Sequence, residues 1–241
     1  RNFDVCRFDA GHHSNLEYGN LPISRSRYLN RILPCRNPSH NFDSCSLLSS
    51  PLHRESISMN AIILTGGESS RFGSDKSEAV IANRTLLEHV ADQLSDCSLI
   101  IVGPTSSITA QYVQEDPIGG GPVAGIAAGI ESVKSERVAI YAVDTPFAPY
   151  CRCLLEAAFE GDGVVAVDGE GYSQYLGGIY KSESLRAVLQ GQSELSGQSV
   201  RKLFSKLNLV RVEVPQPELL MDIDTREDLA KAREIYDRIT K

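Results

Sequence analysis

Short apolar runs recur from residue 61 onward, each closed by glycine, proline or aspartate. Ala61–Leu64, Leu99–Val102, Val138–Val143, Val164–Val167 and Leu209–Val214 fit this pattern, and Gln174–Tyr180 follows a turn at Asp168-Gly-Glu-Gly171. Apolar runs of this length between chain breakers predict buried strands. Between them the period changes. Leu86, Leu87, Val90, Ala91 and Leu94 form the stripe of an amphipathic helix, and Thr85 with Glu88 has capping-box spacing. Ser182–Leu189 and Val200–Leu207 read as further helices. A last one follows Thr225, with Asp228 in the place of the usual Glu or Gln of a capping box, and runs through Leu229, Ala232, Ile235 and Ile239. Strands alternating with helices predict an α/β fold: a single Rossmann-like, doubly wound, mostly parallel sheet with helices on both faces.

Residues 1–58 break with this order. They lack sustained alternation or helical periodicity and are punctuated by Ser, Asn, Pro and Arg, as in Ser24-Arg-Ser-Arg27 and Asn37-Pro-Ser-His40. The expected organisation is an N-terminal extension over 1–58, disordered or absent from the native protein, and a working domain over 59–241 beginning at Met59. Three of the six cysteines (Cys6, Cys35, Cys45) and four of the five histidines fall in the extension, but Cys35, His40 and Cys45 match no paired zinc-ligand spacing. Arg and Ser suggest a transit peptide, against which stand five acidic residues and no amphipathic face. Cys97, Cys151 and Cys153 read as packed or surface thiols of a reducing cytosol, and the expected location is cytoplasmic.

Charge sharpens the division. The chain of 241 residues carries a net −7; residues 1–58 hold seven Arg, no Lys and five acids, leaving 17 basic against 26 acidic residues in 59–241. An acidic body argues against a general nucleic-acid role, and with no apolar run of about 18 residues no membrane span is expected.

One stretch concentrates the chemistry: Asn60-Ala-Ile-Ile-Leu-Thr-Gly-Gly-Glu-Ser-Ser-Arg-Phe-Gly-Ser-Asp-Lys76. The strand ends at Gly66-Gly67, where backbone can turn sharply and approach a ligand. A loop carrying hydroxyls, Arg71 and Lys76 follows, and exposed amides with fixed cations suit phosphate oxygens. A P-loop would need Gly directly before Lys-Ser, where this chain has Asp75, and the G-x-G-x-x-G spacing is absent. Farther on, Gly119-Gly-Gly-Pro122 leads into a helix rich in Ala and Gly, for which close packing alone is a sufficient account. Val138–Val143 runs into Asp144-Thr-Pro-Phe147. A carboxylate at a strand's carboxyl end lies where open α/β sheets bind ligands, so Asp144 reads as a Mg2+ ligand or, alternatively, as a helix cap.

These stretches together resemble the molybdenum cofactor guanylyltransferases. Leu64, Gly66, Gly67, Arg71, Gly73, Asp75 and Lys76 match the family's signature loop in register, Gly121 to Gly125 match its G-P-[LV]-A-G stretch, and Val143 to Phe147 match its metal-binding motif. Where related sequences have N-[IV]-N-T-P-E-D-L, this chain has Asp222 and Asp224 at the Asn positions and Arg226 at the Pro.

The resemblance implies that GMP passes from GTP to the phosphate of molybdopterin, giving the guanine dinucleotide and pyrophosphate, with Mg2+ as cofactor. Arg71, Lys76 and Asp144 would carry catalysis. Leu64, Thr65, Gly66, Gly67, Lys76, Asp116, Gly121, Gly125 and Asp144 would hold the nucleotide, Asp116 standing for the family's acid before the glycines. Asp144 and Asp222 would hold the metal, with Asp224 capping a helix as the neutral alternative for its neighbourhood. Tyr172, Gln174 and Tyr175 would face the second substrate, and Arg201 and Lys202 the pterin phosphate. Partners would be the two substrates and cofactor-delivery proteins. The rival readings are a CTP-dependent molybdopterin or sugar-phosphate nucleotidyltransferase and a catalytically silent nucleotide-binding protein.

Overall fold

The computed structural model describes residues 59–66 and 79–240. The extension over 1–58 and the positions Gly67, Arg71 and Lys76 lie outside the described residues. Seven strands form one sheet in the order β5-β4-β1-β6-β8-β7-β9: β1 (Asn60–Leu64), β4 (Ser98–Val102), β5 (Gln111–Val113), β6 (Arg137–Ala142), β7 (Gly163–Val167), β8 (Ser173–Lys181) and β9 (Leu209–Glu213). All pairs are parallel except those of β8, which runs against both β6 and β7. β1 sits between β4 and β6 and is buried along its whole length, as its unbroken apolar run requires.

Alternate residues of β1 feed two cores. Ala61 and Ile63 pack with α1 (Leu86–Gln93), with Leu155 of α3 (Arg152–Ala157) and with Leu229, Ala232 and Ile235 of α6 (Arg226–Ile239). Ile62 and Leu64 pack on the other face, against α2 (Pro122–Ile130), α4 (Ser182–Gln190) and α5 (Val200–Phe204). The sheet is therefore covered on both faces, as expected.

The capping boxes form as the spacing predicts. Thr85 accepts from the Glu88 amide while Glu88 accepts from the Thr85 amide at 2.7 Å, and Thr225 and Asp228 exchange the same bonds. With Thr225 as the cap of α6, the capping alternative for Asp224 fails. The helix expected over Val200–Leu207 stops at Phe204 and continues as single turns. The sequence pattern missed β5, a short edge strand, and α3. It also missed the hairpin of β2 (Val80–Ile81) and β3 (Arg84–Thr85), whose two-residue turn places Ala82 and Asn83 at positive φ.

Tyr141 on β6 is fully buried, and its hydroxyl has no hydrogen-bond partner among the described residues. Burying an unmatched hydroxyl costs stability. Tyr141→Phe is expected to raise stability by about 1 kcal/mol, a rise of about 2 to 4 °C in thermal midpoint for a domain of this size. An unchanged or lower midpoint would show that the hydroxyl is matched.

Candidate functional site

The carboxyl ends of β1, β4, β5 and β6 meet at one sheet edge, and the chain beyond each is fastened to its neighbour. Thr65 donates both its amide (3.1 Å) and its hydroxyl (2.8 Å) to the carbonyl of Val102, and the Val143 amide donates to the Leu64 carbonyl at 3.0 Å. Leu64 is thus bonded directly to the turn that carries Asp144, and Thr65 and Gly66 beyond it lie against the ends of β4 and β5. Beyond β4, Gly103 adopts φ +135°, a conformation side chains rarely take, and donates its amide to Val113 at 2.9 Å.

After β5 the two adjacent acids differ. Asp116 is exposed, whereas Glu115 is buried, accepting from the Gly119 amide at 3.2 Å and from the Gln114 side chain at 2.7 Å. A Cβ added to Gly66 would stand 3.4 Å from the Glu115 carboxylate, so this acid backs the start of the glycine pair. Sequence reading passed it over for its neighbour. Gly121 takes φ +86° just before Pro122, the first residue of α2. Gly125 is buried, and a Cβ there would meet Leu64 at 3.2 Å and Val102 at 3.5 Å. Its geometry supports close seating of α2 on the sheet.

Asp144 follows β6 in a tight turn, with the Thr145 amide and hydroxyl both donating to Ala142. The next helical turn, Ala148–Cys151, starts at Phe147 without a side-chain cap, so Asp144 caps nothing there. Its carbonyl accepts from the Ile223 amide at 2.8 Å. Ile223 is fully buried, and this single bond fastens the Asp222 segment against the Asp144 turn across 79 residues of chain. Asp144 and Asp222 both line a cavity of about 370 Å3, together with Gln174, Tyr175, Ser199 and Arg201. Of the other residues expected to face a second substrate, Tyr172 and Lys202 are exposed and do not line it.

A break in β8 shapes the cavity wall. Val165 pairs with Gly178 but Ala166 pairs with Gln174, so Tyr175, Leu176 and Gly177 are out of register with β7 and turn toward the cavity. Gln174 is oriented by its 2.7 Å bond to Asp168. Burial pushes the Asp168 carboxyl up, but bonds from the Tyr172 amide, the Gln174 side chain and the Glu170 amide outweigh it and hold the group below the usual range. Tyr175 packs its ring against Phe204 of α5 at 5.6 Å. The Gly197 amide donates to Gly120 at 2.9 Å, joining the segment before α5 to the glycine turn before α2.

The donor set decides what the cavity suits. Among the described residues no group of three or more His, Cys, Asp or Glu is placed to hold a metal. A cation at Asp144 and Asp222 would therefore rest on one or two carboxylates and complete its shell with water and phosphate oxygens. That is the habit of Mg2+, and the residues fit it. No described helix is long and apolar enough to cross a membrane.

Comparison with known proteins agrees with this architecture. The family profile described as the MobA-like NTP transferase domain matches residues 61–212. A probable molybdenum cofactor guanylyltransferase of Bacillus cereus is 30% identical over 193 residues, spanning 71% of this chain and 94% of that protein. Among solved structures, molybdopterin-guanine dinucleotide biosynthesis protein A from Archaeoglobus fulgidus superposes with a TM-score of 0.59 at 22% identity, covering 75% of this chain and 100% of its own. The 2-C-methyl-D-erythritol 4-phosphate cytidylyltransferase of Thermus thermophilus gives 0.56 at 18% identity, covering 73% of this chain and 98% of its own. At these identities the two structures establish a shared fold.

Proposed function

The chain belongs to the MobA-like NTP transferase family of nucleotidyltransferases, and from that premise we propose that it moves GMP from GTP to the phosphate of molybdopterin, releasing pyrophosphate. The observation that carries the reading is the joining of Asp144 and Asp222 at one cavity, fastened by the Ile223 amide on the Asp144 carbonyl. The guanylyltransferase name of the Bacillus cereus relative supports the choice of substrates.

In this reading Thr65, Gly66, Asp116 and Gly121 line the nucleotide side of the edge, and Arg71 and Lys76, assigned from the sequence motif, hold the phosphates. Gly67, assigned from the sequence motif, would let the loop come close, and Gly125 seats α2 on the sheet. Asp144 and Asp222 would hold Mg2+, which when bound offsets charge building up around the α-phosphorus. A terminal phosphate oxygen of molybdopterin forms the new bond to that phosphorus as the bond to pyrophosphate breaks. A phosphate with a second pKa of about 6 is largely dianionic at neutral pH, so the chain needs to supply neither a nucleophile nor a strong base.

The cavity wall of Gln174, Tyr175, Ser199 and Arg201 is the seat for the acceptor. Among the described residues of that lining Arg201 is the only cationic side chain, suited to the acceptor's phosphate. Arg201→Ala is expected to raise the KM for molybdopterin roughly tenfold, with the KM for GTP unchanged. A change confined to GTP would move Arg201 to the other substrate.

The test of the whole reading is pyrophosphate release by purified protein with Mg2+, molybdopterin and GTP, CTP or UTP in turn, repeated with sugar phosphates as acceptors. Release with GTP and molybdopterin above all other pairs is expected. Preference for another pair would assign the chain to a different acceptor or base, and no release with any pair would leave a nucleotide-binding protein without catalysis.

A further inference from the structure

The turn bearing Asp144 is held from three directions. Two of the holds are backbone bonds, from Val143 to Leu64 and from Ile223 to Asp144. The third is a side chain. Gln93, at the end of α1, donates from Nε2 to the carbonyl of Pro146 at 2.9 Å, two residues beyond Asp144, and to the carbonyl of His89 at 2.7 Å on its own helix. His89 in turn sets its ring edge-on to Phe147 with centroids 6.3 Å apart, so the same helical turn grips both residues that follow Thr145.

The orientation of the Gln93 amide is forced, because turning it over would set Oε1 against two carbonyl oxygens. Its Oε1 is buried and has no hydrogen-bond partner among the described residues. A methionine of similar length would fill the same space without an unmatched acceptor. What glutamine adds there is the fork of donors spanning α1 and the Asp144 turn.

We propose that Gln93 is a positioning residue for Asp144, fixing the cation-bearing turn against α1 through Pro146. The inference rests on the assignment of Asp144 as a cation ligand made above. It acts on the protein's own geometry and does not depend on which nucleotide or acceptor is used.

The experiment measures Mn2+ affinity by electron paramagnetic resonance, with a GTP analogue whose α,β-bridge resists cleavage present at saturation. The proteins compared are wild type, Asp144→Asn, Gln93→Met and Gln93→Glu. Met removes both donors, and Glu keeps the size and polarity but sets an acceptor against the Pro146 carbonyl. Both Gln93 variants are expected to weaken Mn2+ binding about tenfold, the scale of outer-sphere ligand support, with circular dichroism at wild-type values and a thermal midpoint that holds in Gln93→Met but falls in Gln93→Glu, which sets an acceptor against two carbonyl oxygens. In pyrophosphate release they should lower kcat with the KM for molybdopterin unchanged. Should Gln93→Glu fail to fold, Gln93→Met decides alone. Wild-type Mn2+ affinity in the Gln93 variants, with Asp144→Asn weakened, overturns the positioning role and leaves the proposed activity standing. Unchanged affinity in Asp144→Asn overturns it too, since no cation would then be positioned. Weakened Mn2+ binding in a protein that releases no pyrophosphate would retain the positioning role and remove the proposed activity.

Discussion

Asp144→Asn is expected to lower pyrophosphate release from GTP and molybdopterin by about a hundred- to a thousandfold, with little loss of folded stability. The size follows from what the substitution removes: the carboxylate that would hold the cation whose charge offsets the negative charge developing in the transition state, a class of interaction worth that much in rate. Stability should hold because the turn is held by the Val143 and Ile223 amides, the Ala142 carbonyl and the Gln93 side chain on Pro146, and Asn alters none of these bonds. The comparison that isolates the effect is Asp222→Asn. Asp222 is itself exposed at the same cavity, and its loss should cost less, because a cation can replace one carboxylate with water more easily than it can replace its anchor. Steady-state kinetics across a Mg2+ titration would separate the two. Equal, small losses from both substitutions would place the cation elsewhere, and wild-type activity in Asp144→Asn would end the proposed mechanism.

How far this site was legible in the sequence depended on whether its determinants are local. Asp144 was recognisable because a strand's apolar run ends on it, and the sheet order then delivers it beside β1. The capping boxes were legible for the same reason, since both partners lie within one turn of helix. The cavity wall was not. Tyr175, Leu176 and Gly177 leave register with β7 where Val165 gives way to Ala166, and this break within a hairpin goes with the pairing of β8 to β6 on its other side, a strand distant in sequence. Nor did alternation reveal that β8 runs antiparallel, because a strand buried between β6 and β7 reads alike in either direction. Glu115 and Asp116 are neighbours of the same chemistry, and only the fold makes one buried and the other exposed. Nothing in the sequence around Gln93 marks it, because its partner, the Pro146 carbonyl, lies 53 residues farther along the chain.

Gly103→Ala tests how tightly the nucleotide edge is built, and it is expected to cost about 2 to 4 kcal/mol of stability. Two effects add. The backbone at φ +135° strains any residue with a side chain, at about 1 to 3 kcal/mol. In addition, the new Cβ would collide with the Thr65 hydroxyl oxygen, so that hydroxyl must leave its bond to Val102, forfeiting about 1 kcal/mol. A second variant separates strain from collision: Gly119→Ala, at φ +75° with nothing within 4 Å of the added carbon, meets the strain alone and should lie at the low end. Thr65→Ala removes the oxygen in the way, so the double variant Thr65→Ala with Gly103→Ala should be less damaged than the two single losses summed, with a coupling of about 1 kcal/mol in a denaturant-unfolding cycle. The displaced Thr65 also moves the start of the glycine pair, so the folded fraction of Gly103→Ala should show a raised KM for GTP while the KM for molybdopterin, whose proposed seat lies across β6, stays put. Additive losses and an unmoved KM for GTP would mean that the Thr65 hydroxyl has room to yield and that the edge is softer than its hydrogen bonds imply.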